Sequence, residues 1–209
     1  MSKSLLIGAA ALAAFSLAAC HKTGSNAGAD VAKPGDSAAA NTVQDVAAGP
    51  VGLASAATAN TAEEFVKAAA MADMYEIEAG KIAVARAKRS DVKMFGQMMI
   101  DMHTKTSDDL KAALKDNNIA ITPPTTLDER RMGMLQNLRA AGDSDFDAAY
   151  LHQQLAAHLE ALTLHGGYAD HGDNPVLKAA AAKTKLVVQA HIDQVKKIGG
   201  SALKDVAPG

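Results

Sequence analysis

Thr61 to Lys88 reads TAEEFVKAAAMADMYEIEAGKIAVARAK, and this stretch decides the fold. It opens on Thr61-Ala62-Glu63-Glu64, a capping box in which the threonine hydroxyl accepts from the third helical amide and Glu64 reaches back. Phe65, Ala69, Ala72, Tyr75, Ala79, Ile82 and Arg86 follow three or four apart, the period of one helix face. Met71, Met74, Glu78 and Ile82 lie on the adjoining stripe. The spacing predicts a helix A that runs to about Lys88.

The same period continues downstream. Ser90 is placed to cap a helix B that runs to about Lys115, with a stripe of Val92, Phe95, Met99, His103, Thr106, Leu110 and Ala113. Asn117 and Asn118 stop it, and Pro123-Pro124 blocks helix. Thr126 with Glu129 reads as a second capping box, opening a shorter helix from about Leu127 to Arg139 that Gly142 closes. Asp143 or Ser144 caps helix C, roughly 145–169, through Leu151, Leu155, His158, Leu162 and His165. Gly172-Asp173-Asn174-Pro175 is a turn, with Pro175 suited to a first helical position. Helix D then runs roughly 175–198 through Leu177, Ala181, Thr184, Val188, His191, Val195 and Ile198, and Gly199-Gly200 ends it. Each long helix measures about 36–42 Å at 1.5 Å per residue. Tight A–B and C–D connections make antiparallel hairpins. The expected fold is all-α: an up-down-up-down four-helix bundle over residues 61–199, with an extra short helix between B and C and a tail at 200–209.

Composition agrees with helix. Of 209 residues, 48% are hydrophobic, much of that alanine, and only 3% are aromatic, which argues against a β-sandwich or barrel. The net charge of -2 argues against nucleic acid as a partner. One cysteine excludes an internal disulfide and any cysteine-based zinc or iron–sulfur site.

That cysteine has another use. Lys3 followed by the apolar run Leu5 to Leu17 reads as a secretory signal. It ends in Leu17-Ala18-Ala19-Cys20, which resembles the lipobox of bacterial lipoproteins. The resemblance implies cleavage after residue 19 and acylation of Cys20, a firm membrane anchor. His21, rather than Asp, follows the cysteine, which by analogy with lipoprotein sorting favours the periplasmic side of the outer membrane. Residues 20–60 hold Ala, Gly, Ser, Asn, Asp and Thr with Pro34 and Pro50, and read as the lipidated cysteine and a flexible tether. A coil of about 40 residues reaches roughly 35 Å.

Several motifs together carry a family resemblance. Glu76-Ile77-Glu78-Ala79-Gly80 precedes Val92-Lys93-Met94-Phe95-Gly96-Gln97-Met98-Met99 and His103-Thr104-Lys105. Phe146-Asp147, Tyr150 and His158 follow, then Leu186 and His191. Over about residues 61–199 the chain resembles the bacterial domain-of-unknown-function family 4142, whose members are exported and ferritin-like. The family usually has Asp immediately before the helix-B histidine; here that position is Met102, with Asp101 one earlier.

Glu78, His103, His158 and His191 supply one polar group per helix on or beside the apolar stripes. If the A–B and C–D turns share an end, the four lie about 17, 20, 21 and 25 Å below it. Two readings follow. Three imidazoles and a carboxylate suit one transition-metal ion, Zn, Cu or Fe. Met98, Met99 and Met102 near His103 would tilt such a site towards copper. Alternatively the four groups form a hydrogen-bonded layer that fixes helix register. A di-iron oxidase needs Glu-x-x-His on two helices, and no Glu-x-x-His occurs in the chain. No Gly-rich phosphate loop or nucleophile elbow appears either. Lys81, Arg86, Lys88 and Arg89 read as cations favourable to a helix C-terminus, and His165 and His171 as facing water. The sequence therefore predicts a non-enzymatic envelope lipoprotein, binding a transition metal through its Glu/His layer. The alternative is a structural or stress-related interaction module whose layer only fixes packing.

Overall fold

The computed structural model describes residues 32–201 and 203. The expected signal sequence, Cys20 and the start of the expected tether lie outside the described residues. Six helices and no strand are found among those described: α1 Ala38–Thr58, α2 Ala62–Arg86, α3 Ser90–Asp116, α4 Glu129–Ala140, α5 Phe146–His171 and α6 Pro175–Gly199. None of them is long and apolar enough to cross a membrane.

Local chemistry sets most of the boundaries. At the start of α2, Thr61 Oγ1 accepts from Glu64 N at 3.3 Å and Glu64 Oε2 accepts from Thr61 N at 3.2 Å, the capping box read from the sequence. Asn174 Oδ1 accepts from Val176 N and Leu177 N, and Pro175 starts α6. Three caps differ. Helix α4 is capped by Asp128, which accepts from Arg131 N at 2.7 Å, rather than by Thr126. Helix α3 follows Arg89 and α5 follows Asp145, neither with a side-chain cap. The first turn of α5 is instead tied to the α2–α3 turn: Asp147 accepts from Lys88 N and Arg89 N at 3.0 and 2.9 Å.

That tie overturns the up-down-up-down order. The α2–α3 turn meets the start of α5, and Arg89 also donates to Ile198 O at the end of α6 (3.0 Å). At the other end Phe65, early in α2, stacks on Tyr168, late in α5, with centroids 4.1 Å apart. The α2–α3 and α5–α6 turns therefore lie at opposite ends, and the order is up-down-down-up. The reason is the connection between α3 and α5. Residues 117–128, stiffened by Pro123-Pro124, climb back along the bundle, and α4 completes the return. Arg86 receives its end by donating to Leu138 O, Arg139 O and Ala141 O at 2.6–2.8 Å, satisfying carbonyls that the helix leaves open.

Residues 38–58 correct the tether. They form α1, which lies parallel to α5. Asp45 accepts from Gln153 Nε2 at 2.6 Å and from Asn137 Nδ2 at 2.8 Å. A Cβ on Gly52 would stand 2.0 Å from Glu160 Oε2, so only glycine leaves room for that carboxylate. The buried positions of α1 are Asn41, Ala48, Gly52 and Ala56, while Val43, Val46 and Val51 are 61–71% exposed. The helix docks through hydrogen bonds and small residues, and so carries no apolar stripe.

Two apolar clusters fill the interior. One holds Tyr75, Phe95, Met99, Phe146, Tyr150 and Val188; the other holds Phe65, Leu110, Leu164, Tyr168 and Leu177. On α3 the break between them falls between Met99 and Leu110, where His103 sits. On α2 it falls between Ala70 and Tyr75, where Asp73 sits. Gly80 and Gly96 bring α2 and α3 backbone to backbone, since a Cβ on Gly80 would lie 2.6 Å from Gly96 O.

Candidate metal centre

His103 of α3, His158 of α5 and His191 of α6 converge. One ring nitrogen from each lies within 4.8 Å of the others, and all three residues are buried. Ring centroids stand 5.8, 5.7 and 5.3 Å apart, close to an equilateral triangle. Of the depth match read from the sequence, the part for His103 and His158 survives the changed helix order, while His191, towards the end of α6, does not keep its expected depth. His103 and His158 sit near mid-helix, so their depth is almost the same from either end.

Each of two rings is oriented by a hydrogen bond on its outer nitrogen. His103 Nδ1 bonds Asp73 Oδ1 at 2.8 Å, and Thr106 Oγ1 and Ser107 Oγ donate to the same carboxylate. His158 Nδ1 bonds the Gln154 carbonyl at 2.8 Å. Both acceptors hold the proton on Nδ1 and leave Nε2 to present its lone pair, the arrangement in which metal-ligating histidines are held. His103 Nε2 is buried with no hydrogen-bond partner among the described residues. An orphaned polar atom in a dry core costs about 1–3 kcal/mol unless something binds it.

His158 Nε2 and His191 Nδ1 are 3.3 Å apart. Two imidazoles on one tetrahedral ion with bonds of about 2.0–2.1 Å place their nitrogens about 3.3–3.4 Å apart. Closing His103 onto the same ion, from nitrogens that stand within 4.8 Å of one another, takes a ring movement of up to about 1.5 Å. Burial, reinforced by the charge on His103, pushes His158 well below the ordinary histidine range, and the same causes bring His191 to about 4. Both are neutral at pH 7 and bind a cation without first losing a proton. His103 is lifted instead: burial opposes its charge, but the bond to Asp73 and the charges of Glu76 and Asp73 together outweigh it.

The carboxylate is not the one selected from the sequence. Glu78 is 42% exposed and pairs with Lys81 at 2.7 Å on the outer face of α2. Two residues are about 200° of helical rotation, and Glu76 points inward instead. Its Oε2 accepts from Gln154 Nε2 at 2.6 Å and its Oε1 lies 3.7 Å from His158 Nδ1. Burial raises its carboxyl to about 7. Glu76, His103 and His158 line a cavity of about 20 Å³, room for one small ligand. Asp73 was also missed, although an acid three residues before Glu76 in an alanine-rich helix shares its face. Asp101 faces solvent and takes a bond from Gln97 at 2.9 Å, so Asp73, from another helix, is the acid that holds the histidine.

Two smaller expectations also change. His171 is exposed, but His165 is buried against the edge of Phe65, with centroids 5.4 Å apart. Of the basic cluster, Arg86 serves the C-terminus of α4 rather than that of its own helix.

A family model described as Domain of unknown function (DUF4142) matches residues 47–198. No curated protein and no solved structure matches the chain.

Proposed function

This chain belongs to the DUF4142 family, and from that premise we propose that it is a metal-binding protein that holds one transition-metal ion on His103, His158 and His191. The observation that carries this reading is the buried triangle of imidazoles with His103 Nε2 left without a partner among the described residues. Zinc, copper and iron all accept three imidazoles. A three-histidine set leaves a fourth position to a small ligand, and the cavity beside Glu76 is where one fits. Glu76 stands outside the ligand triangle and is placed to accept a hydrogen bond from that ligand.

The proposal extends to setting. A bundle with a single long crossover is the ferritin-like arrangement, here with one ion in place of two. The lipobox at Cys20 supports a lipid-anchored envelope protein on the periplasmic side of the outer membrane, with α1 to α6 carried near the surface. The role is capture or holding of the ion, without turnover.

Elemental mass spectrometry of the purified full chain tests the reading. About one ion per chain is expected, and none in the triple variant His103→Ala, His158→Ala, His191→Ala. No ion after loading with zinc, copper and iron overturns it. The register-fixing layer is the second reading, favoured by the bonds of Asp73 and Gln154. It predicts that replacing all three histidines by leucine leaves the fold as stable or more so, with no metal-dependent stabilisation lost.

A further inference from the structure

A second concave site lies beyond Asp73. A groove of about 630 Å³ runs between α2, α3 and α6, within the size range of small-molecule sites. Its walls are apolar, with Phe65, Leu110, Ala113 and Val176 along them. Its polar end is made by Asp73 and His165. Exposed Lys183 stands at the mouth.

Both polar groups have unused capacity. Asp73 Oδ1 is taken by His103 and Thr106 at 2.8 Å each, but Oδ2 meets only Ser107 Oγ, at 3.3 Å. An ionised carboxylate offers about four acceptor sites. His165 is 93% buried, since 7% of its surface is exposed, and its Nδ1 has no partner among the described residues. Burial brings His165 to about 4, so the ring is neutral at pH 7. The end of the groove thus presents the Asp73 carboxylate and the neutral His165 ring, while Asp109, also in the lining, is held on both oxygens by Lys105 at 2.8 and 2.6 Å.

We infer that this groove binds a small organic amine, its ammonium group on Asp73 and His165 and its apolar tail between α3 and α6. An ammonium brings three donors and the opposite charge. A carboxylate of the same length meets the Asp73 carboxylate, a like charge with no donor to offer it. The site stands apart from the metal triangle, though Asp73 is shared by both, so either proposal can fail alone.

Calorimetric titration of the full chain, metal-free and metal-loaded, with hexylamine, hexanoate and hexan-1-ol tests the inference. Hexylamine is expected to bind at least tenfold more tightly than the other two. Ala180→Phe, which fills the groove, is expected to abolish binding while metal content stays unchanged. Asp73→Asn is expected to weaken it at least tenfold. No binding of hexylamine overturns the inference, as does equal binding of hexanoate or hexan-1-ol. Unaltered binding in a folded Ala180→Phe chain overturns it too.

Discussion

Two buried polar clusters share the wall of the cavity beside Glu76, and they are satisfied to different degrees. In one, Arg130 donates twice to Glu160 at 2.8 and 2.9 Å and Arg131 donates once at 2.6 Å, with Asp128 closing on Arg131 as well. The cations and carboxylates are matched, and the cluster fastens α4 to α5 beside Gly52 of α1. In the other, around the three histidines, His103 Nε2, Gln154 Oε1 and Tyr150 Oη lack partners among the described residues. A protein that can pair its buried charges so fully in one place leaves atoms unpaired nearby where something else binds them. The first cluster is architecture, and the second is the one we propose as a site.

Four changes probe that distinction, from the largest effect downwards. Glu160→Leu strands two arginines and should cost about 3–5 kcal/mol in urea unfolding. Metal content should stay at one ion per chain. Loss of the ion with the fold intact would mean that the two clusters are one unit.

Acidity separates them next. Glu76, raised to about 7 from 4.5, holds an extra proton in the folded state, so its contribution falls as pH rises through that window. His165 and His191, lowered to about 4, do the opposite: their contribution is complete above the ordinary histidine range and is lost as pH falls towards 4. A shift of this size in His165 is worth on the order of 3 kcal/mol. His158 acts in the same direction; His103 and Asp45, both lifted, act with Glu76, and the three lowered histidines outweigh them. The melting temperature of the metal-free chain should therefore climb from pH 4 to about 6.5. Glu76→Gln should move the optimum upward, and a flat profile would contradict the assignment.

Asp73→Asn keeps a hydrogen bond to His103 but removes its charge. Metal affinity should fall about 10–100-fold, measured by chelator competition, with little change in fold. The smallest effect is a control on α5, the helix that carries both His158 and Glu160. A Cβ on Gly167 meets nothing within 4 Å. Gly167→Ala should add about 0.5–1 kcal/mol and leave metal affinity alone.

The sequence makes some of this legible and not the rest, for physical reasons. The capping box at Thr61 and Pro175 at the start of α6 are local chemistry, and they mark the helix starts correctly. The histidines were found because each interrupts an apolar stripe. Helix α1 was not, because its docking face is Asn41, Ala48, Gly52 and Ala56 and its valines face outward. Helix order was missed because the length of 117–128 does not reveal its direction. Glu78 was preferred to Glu76 because α2 was assigned one buried face. It packs against α3, α4 and α5, so the buried arc is wider and Glu76, Gly80 and Ala83 share it.

X-ray absorption spectroscopy on the metal-loaded full chain tests the central claim most directly. The account predicts three imidazole nitrogens at about 2.0–2.1 Å around a single ion if the metal is zinc. Their multiple-scattering signature should disappear in the triple alanine variant. An oxygen-only shell, or an imidazole signature unchanged in that variant, would contradict it.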